Sequence, residues 1–376
     1  MPMLPTPNTQ SDECLNMRLL RRIRQAAGAY VPWDELGAIS GRARDDLQAL
    51  TDFGFGIECH PVQGGAYRGP TDRLCPDQIE YELGTCRIGR RIAVWNRASS
   101  TNDLAARAAR SVANDGLVVL AEEQTAGRGQ RGRIWTAPPR SSILMSVVLF
   151  PPEHLLSNRA DANSVDGRGW LTVLGAVAVA EVVAARTGQA ARIKWPNDVR
   201  VEGRKIAGIL VEWGRARAGG GIEPRLPPPL HPSGGGVIIG IGLNVNLAAE
   251  DFPADLREIS TSLRILRGGE PLDRSELARD LIHRLDALYR QSREEGLDSL
   301  SPRWAQHCEH LGRKVQVTTP RGTMIGRLVD LDLRQGLTLD LDGFDPAPHA
   351  SSSSLTIPLG EILSLSGNVE VATPGC

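Results

Sequence analysis

The chain has 376 residues and a formal charge of −1, and of its 43 basic residues only Lys194, Lys205 and Lys314 are lysines. That length allows two or three domains with a sizeable core, and so slight a charge excludes blanket attraction to nucleic acid or to an anionic membrane surface. The longest apolar run, Trp170–Ala185, contains Glu181 and is too short to cross a bilayer, so no membrane is expected. No secretory leader is expected either, because Met1–Gln10 is proline-rich and lacks an apolar stretch. The six cysteines (Cys14, Cys59, Cys75, Cys86, Cys308, Cys376) form no C-x-x-C, which points to a reduced, cytoplasmic setting.

Near the N-terminus, Leu15–Ala27 carries Leu15, Leu19, Leu20, Ile23 and Ala26 at helical spacing. Pro32 opens a second helix with Leu36 and Ile39, and Ala43–Phe53 gives a third. Gly56–His60 and Ala66–Arg68 then flank Gly64-Gly65, read as the turn of a hairpin. Helix, helix, helix, hairpin is a winged helix-turn-helix order. Residues 1–80 hold eight Arg against eleven Asp or Glu, a net of 8 − 11 = −3, and the third helix is itself acidic. DNA binding therefore stands beside a structural or dimer-modulating role for this part. Residues 69–80 read as a linker.

Arg91–Val94 begins a strand leading to Ser99-Ser100-Thr101-Asn102-Asp103 and an Ala-rich helix, Leu104–Val112. Ser100 with Asp103 three residues on suits a capped helix start; the cluster either caps alone or turns its hydroxyls and amide to a polar ligand before the helix. Two buried strands, Leu117–Ala121 and Ser142–Phe150, enclose Glu122–Trp135, which carries three glycines and three arginines. Glycines let backbone N–H groups approach an anion, and arginines grip carboxylate or phosphate. The run Gly127-Arg128-Gly129-Gln130-Arg131-Gly132 matches G-x-G-x-x-G, but a dinucleotide site requires a helix next and a strand follows instead. The bland alternative for the loop is a solvated hairpin.

Trp170–Thr187 is an apolar helix. In Arg192–Val199, Pro196 breaks a strand and leaves Asn197 and Asp198 at its end, and Gly203 turns the chain into a buried strand, Arg204–Glu212, entered by Lys205. Residues 214–236 look like a Gly/Pro-rich insertion. The strand Val237–Leu243 ends in Asn244 and Asn246, which are turn formers or readers of a base or ribose. Ala248–Arg267 is mixed and loop-like, and Ser275–Tyr289 is an amphipathic helix. His307, Cys308 and His310 cluster, yet a metal site needs a further ligand and none is evident, so a helix end is the reading. From Leu311, the short strands Val315–Thr318, Thr323–Asp330, Gly336–Asp340 and Leu355–Pro358, with a Ser-rich insertion at 346–354, suggest a small β-barrel.

With these residues in view, the chain resembles the biotin protein ligases of the three-domain type, from about residue 15 to about 366. The resemblance rests on the ordered set Ser100-Thr101-Asn102, Gln124–Trp135, Lys194–Asp198, Arg204–Glu212 and Gly240–Asn246. It implies an α+β fold: a winged helix-turn-helix over 11–70, a mixed-sheet α/β ligase domain of class II synthetase type over 80–308, and a small SH3-like β-barrel over 309–370. It implies ATP-dependent activation of biotin to biotinyl-AMP and transfer to a lysine of a biotin carboxyl carrier protein. By the same resemblance, Ser100, Thr101, Asn102 and Gln124 hold the biotin rings, while Arg128, Gly129 and Gln130 close over the activated carboxyl. Lys205 sits near the carboxylate and α-phosphate. Arg133, Trp135, Asn197 and Asn244 lie on the ATP side, and Asp198 orients Mg-ATP or the incoming amine. Lys205, Arg128 and Asp198 are the implied catalytic set; Mg²⁺ accompanies ATP, and no resident metal site is expected. A homodimer and a DNA operator are further implied partners. A lipoate-type ligase and a non-catalytic biotin-responsive repressor are the alternatives. Gln130 stands where family members often place another arginine.

Overall fold

The computed structural model describes residues 14–156, 169–214, 235–341 and 354–367. The insertion expected at 214–236 and the Ser-rich one at 346–354 lie almost wholly outside the described residues.

The N-terminal part is α1 (Met17–Gln25), α2 (Trp33–Ile39), α3 (Ala43–Phe53) and a hairpin of β1 (Gly56–His60) with β2 (Gly64–Gly69). Asn16 caps α1 by accepting from the Leu19 N–H, and Leu19, Leu20 and Ile23 are buried against Leu36, Leu47 and Leu50 in a core of their own. Gly64-Gly65 is not the turn. Both glycines start β2, because a Cβ on Gly64 would lie 1.8 Å from the Val31 carbonyl oxygen and one on Gly65 2.7 Å from Leu47. The turn lies at 61–63, where His60 Nδ1 accepts from the Val62 and Gln63 N–H groups.

The expected linker at 69–80 is also corrected. It contains a short helix, α4 (Pro76–Glu80), with Leu74, Cys75 and Ile79 buried.

The central sheet has seven strands: β3 (Arg91–Trp95), β4 (Leu117–Ala121), β5 (Ser142–Leu149), β6 (Ala191–Lys194), β7 (Asp198–Val201), β8 (Arg204–Trp213) and β9 (Val237–Asn244). Their order is β3-β4-β5-β9-β8-β7-β6, with β3 and β4 parallel and every other pair antiparallel. Among the helices, α5 (Thr101–Ala108) starts and ends earlier than its composition predicts. Ser100 caps its start, and Asn114 Nδ2 donates to the Ala108 carbonyl, terminating it before Val112. After α6 (Glu153–Leu156), α7 (Gly169–Thr187) is apolar on nearly every side because it is sandwiched between the sheet and a later helix. Its length and composition would suit a membrane span, but its apolar residues are spent on this core.

The loop-like stretch 248–267 includes α8 (Leu263–Leu266), capped by Ser262. Next, α9 (Arg274–Glu295) outruns its predicted end, from the Asp273 cap to Gly296 at φ +87°. A further helix, α10 (Ser301–His307), leads to β10 (Lys314–Thr319), β11 (Gly322–Asp332), β12 (Gly336–Asp340), β13 (Ser354–Ile357) and β14 (Ser364–Gly367). These five form an antiparallel sheet in the order β13-β12-β11-β10-β14.

A buried ion pair ties these parts together. Glu122 accepts from Arg274 Nη2 at 2.7 Å and from the Leu74 N–H at 2.5 Å, with side-chain exposures of 6 % and 2 % for Glu122 and Arg274. Arg274 also donates to the carbonyls of Asp72 and Ser142. The His-Cys-His cluster is dispersed: the His307 ring contacts the Ala191 carbonyl, while Cys308 and His310 are buried.

Two outcomes are expected. Glu122→Ala leaves a buried guanidinium uncompensated and should destabilise the fold by about 3–5 kcal/mol in chemical denaturation. Burial, helped by Lys194, Arg313 and Arg200, pushes the His310 imidazole down to about 4 from 6.5. Between those values the unfolded chain takes up a proton that the folded one refuses, so stability is full above about pH 6.5 and falls on acidification. Denaturation at pH 6.5 and pH 5 should differ by up to about 2 kcal/mol at 1.4 kcal/mol per pH unit, and His310→Leu should flatten that slope.

Candidate active site

Side chains alternate across a sheet, and the strand registers decide which residues share a face. Val118, Leu120, Met145, Val147, Ile239 and Ile241 face α7 and α9. The opposite face carries Val119 and Ala121 on β4, Ser142, Leu144 and Ser146 on β5, Gly240, Gly242 and Asn244 on β9, and Gly208, Leu210 and Glu212 on β8. Among the described residues α5 and the loop 122–135 lie on this second face, so the site is built here.

The glycines of β8 and β9 make the room. A Cβ on Gly240 would sit 2.3 Å from Asn102 Oδ1, and one on Gly242 would sit 2.5 Å from the Trp135 indole. At the head of α5, Ser100, Thr101 and Asn102 are each at most 4 % exposed. The Thr101 N–H donates to Gln124 Oε1 at 2.7 Å, the Ser146 hydroxyl lies 2.7 Å from Thr101 Oγ1 and 2.6 Å from Asn102 Oδ1, and Asn102 Nδ2 donates to Glu212 Oε2 at 2.6 Å. This is a continuous polar network on an otherwise apolar face. Polar groups this deep are costly unless paired, which argues for a recognition surface over a packing accident.

The loop 122–135 folds back on itself: the Gly129 N–H donates to the Arg133 carbonyl, the Trp135 N–H to the Gly127 carbonyl, and Arg128 bridges Ile134. Gln130 is half-buried in a short 3₁₀ turn, Arg131 beside it adopts φ +57°, and Arg133 is exposed. Arg128 donates to Asp103 at 2.7 Å and to Glu212 at 3.2 Å. Burial alone would lower its pKa, but the Asp103 hydrogen bond and the charges of Glu212 and Asp103 prevail and hold it above the ordinary arginine value.

A β-bulge places Lys205. The β7–β8 register pairs Val199 with Ala207 but Arg200 with Lys205, leaving Ile206 as the extra residue. Under strict alternation Lys205 would share the core-facing side with Ala207. The bulge turns it instead, and Lys205 Nζ lies 3.4 Å from where a Gly208 Cβ would be, 5.7 Å from the Trp135 ring centroid and 2.5 Å from Asp198 Oδ1. Asn197 donates to the Ile209 carbonyl, which fixes its amide beside Asp198.

The predicted residues thus gather on one sheet face in two groups. Ser100, Thr101, Asn102, Gln124 and Arg128 form one; Lys205, Asp198, Asn197 and Trp135 form the other. Arg128 does not touch Lys205. Arg128 reaches Glu212, seven residues along β8 from Lys205 and so roughly 20 Å away along the strand, and the loop spans the gap with Trp135 at its far end. Asn244 is buried and donates to the Thr261 carbonyl, while Asn246 is consumed by both backbone groups of Leu272. Sequence reasoning missed Asp103, Ser146 and Glu212. Ser146 had a signal, a lone hydroxyl inside the apolar run Ser142–Phe150, and so had Gly240 and Gly242, whose alternation marks a face kept open.

A profile of the Biotin/lipoate A/B protein ligase family matches residues 94–219. A biotin–[acetyl-CoA-carboxylase] ligase of Mycobacterium tuberculosis is 35 % identical over 286 residues, covering 72 % of this chain and 93 % of that protein. A bifunctional ligase/repressor BirA of Bacillus spizizenii is 29 % identical over 322 residues, covering 85 % and 91 % respectively. Among solved structures, a biotin protein ligase from Aquifex aeolicus in complex with biotin and ATP superposes with a TM-score of 0.55 at 22 % identity, covering 74 % of this chain and all of that one, a likeness of fold that includes the central mixed sheet. The match in sequence to these ligases over most of their length makes the chain a member of the biotin/lipoate A/B protein ligase family, on its biotin protein ligase branch.

Proposed function

We propose that the protein activates biotin with ATP and transfers it to a lysine of a biotin carboxyl carrier protein. The observation that carries this reading is the two-part site face: a buried donor–acceptor network at the head of α5, and a bulge-placed ammonium at the other end, with one arginine-bearing loop lying across both. In the first step the biotin carboxylate oxygen forms a bond to the ATP α-phosphorus, and the bond to the bridging oxygen of pyrophosphate breaks. Two anions must be brought together, so the work is orientation and charge neutralisation. Lys205 and the loop cations Arg128 and Arg133 supply positive charge. Trp135, flat against Gly242, gives an adenine ring a surface to stack on. In the second step the carrier lysine amine attacks the acyl carbon and AMP leaves. We assign to Asp198, the partner of Lys205, the amine's proton once Lys205 turns to the phosphate.

Mg²⁺ suits the donor set. Asn197 spends its Nδ2 on Ile209, which leaves its amide oxygen for a hard cation beside the Asp198 carboxylate. When bound with ATP it neutralises the phosphates.

We read α1–α3 with the β1–β2 hairpin as a winged helix-turn-helix over 11–70, supported by its separate core, and β10–β14 as an SH3-like barrel over 309–370. The ligase/repressor relative makes operator binding by a homodimer the second function to test. Against strong DNA affinity, the exposed cation Arg44 stacks on Trp33, and Gln48 is turned to Asp52. The reduced cytoplasm is the proposed location, and five of the six cysteines are free in the described residues.

Incubation with biotin, Mg-ATP and a carrier domain, followed by mass measurement, should show one biotinyl increment on the carrier. An increment with lipoate but not biotin would overturn the substrate assignment. Lys205→Ala should reduce biotin-dependent pyrophosphate exchange at least 100-fold with an unchanged melting temperature. Retained exchange would remove Lys205 from the chemistry.

A further inference from the structure

Across three neighbouring strands, one end of the site face is crowded with positive charge. Ala191, Ile193, Val199 and Val201 point into the core, so Arg192 and Lys194 on β6 and Asp198 and Arg200 on β7 point to the other side. The registers set Arg192 opposite Arg200, and Arg200 opposite the bulge-turned Lys205. Like charges placed directly opposite repel and destabilise a sheet. The one carboxylate among these side chains, Asp198, lies 2.5 Å from Lys205 Nζ, and Arg192 is turned to the Gln306 carbonyl. Arg200 is left with Glu309 at 3.8 Å, too long for a hydrogen bond, and its Nε is buried with no partner among the described residues. We propose that Arg200 receives the β- and γ-phosphates of ATP and holds the pyrophosphate as it leaves.

The direction of the displacement selects this end of the sheet. Attacking and leaving oxygens lie roughly in line through the phosphorus. The polar network at the head of α5 ends at Glu212, seven residues along β8 from Lys205, so the biotin carboxylate reaches an α-phosphate at Lys205 from that side. The leaving oxygen then points away from Glu212, to the mouth of β8. Toward β9 the way is closed. Trp135 covers Gly242 and Gly208, the surface assigned to the adenine ring, and the backbone of Lys205 is bridged to Ile259 and Thr261. The neighbour that remains is β7, where the residue opposite Lys205 is Arg200. Its guanidinium fork can hold two phosphate oxygens at once, and with 23 % of the side chain exposed it is desolvated yet reachable. The same surplus of charge is felt at His310, whose imidazole is pushed down first by burial and then by Lys194, Arg313 and Arg200.

The inference rests on the biotin-activation reading, and the experiment separates the two. Calorimetry with magnesium pyrophosphate alone is run on the wild type, Arg200→Gln, Arg200→Lys and Glu309→Gln. The same proteins are assayed for biotin transfer to a carrier domain, once from biotin and ATP and once from preformed biotinyl-AMP. Arg200→Gln should weaken pyrophosphate binding and raise the ATP KM, each about ten-fold, while transfer from biotinyl-AMP, which has no β- or γ-phosphate, stays within about two-fold. Arg200→Lys keeps the charge without the fork and should lose about three-fold. Glu309→Gln removes the carboxylate that competes for Arg200 and should tighten pyrophosphate binding about three-fold. Opposite signs from the two partners are what a merely structural Arg200–Glu309 pair would not give. The role of Arg200 would be overturned by unchanged pyrophosphate constants, by equal slowing of transfer from biotinyl-AMP, or by Glu309→Gln weakening binding as Arg200→Gln does. Absence of biotin-dependent pyrophosphate release in the wild type would instead sink the underlying reading, and the calorimetry would still decide for or against a polyphosphate site at Arg200.

Discussion

The ion pair between Glu122 and Arg274 is the constraint on which the site depends. Glu122 is the first residue of the arginine-bearing loop, and Arg274 begins α9, so the pair pins the root of a surface loop to the longest helix of the core. The same two side chains hold the backbone at Asp72, Leu74 and Ser142. Removing two charges from water is expensive, and their mutual attraction repays it only when every remaining hydrogen-bonding direction is used. Here three of them go to backbone and Arg274 Nε has no partner among the described residues, so the pair serves specificity of position more than stability. One node thus fixes the approach from the N-terminal part, the start of β5 and the hinge of the loop.

Downstream of that node, the chemistry follows from sheet parity. Three glycines on β8 and β9 clear one face, α5 delivers a capped row of polar residues onto it, and a single extra residue in β8 reverses the direction of Lys205. None of these devices needs a large movement. From Gly127 onward the loop's backbone hydrogen bonds are internal, while Glu122–Ala126 are tied to Trp95, Ala98, Ser99 and Arg140, so its arginine-bearing tip can lift on a fixed root. A lid of this kind suits a reaction whose mixed-anhydride intermediate must be shielded from water.

Much of this was legible in the residues. Strand and helix identities followed from periodicity, because the buried strands 117–121, 142–149 and 237–244 have no polar residue that could be mistaken for a surface pattern other than Ser142, Ser146 and Asn244. The motifs located the site because glycines, arginines and a rare lysine are informative where composition disfavours them. What could not be read were the effects of distant partners. The segment 69–80 looked like a linker because its short apolar residues have no local periodicity, yet Cys75 donates to Ser275, two hundred residues away. Gly64-Gly65 resembled a turn because glycine permits one, whereas tertiary crowding by Val31 and Leu47 is what requires it. Glu212 ended an apolar strand and carried no motif of its own; its role appears only when Asn102 and Arg128 converge on it.

The scarcity of lysine has a consequence for the protein's own surface. All three lysines are at least partly covered, and Lys205 is engaged by Asp198. Guanidinium groups remain protonated and are poor nucleophiles, whereas free amines are the groups that attack an acyl-adenylate. A catalyst that carries its positive charge almost entirely as arginine gives a stray mixed anhydride few amines on its own body to acylate, so escaping intermediate is spent on water or on a neighbour and self-labelling stays rare.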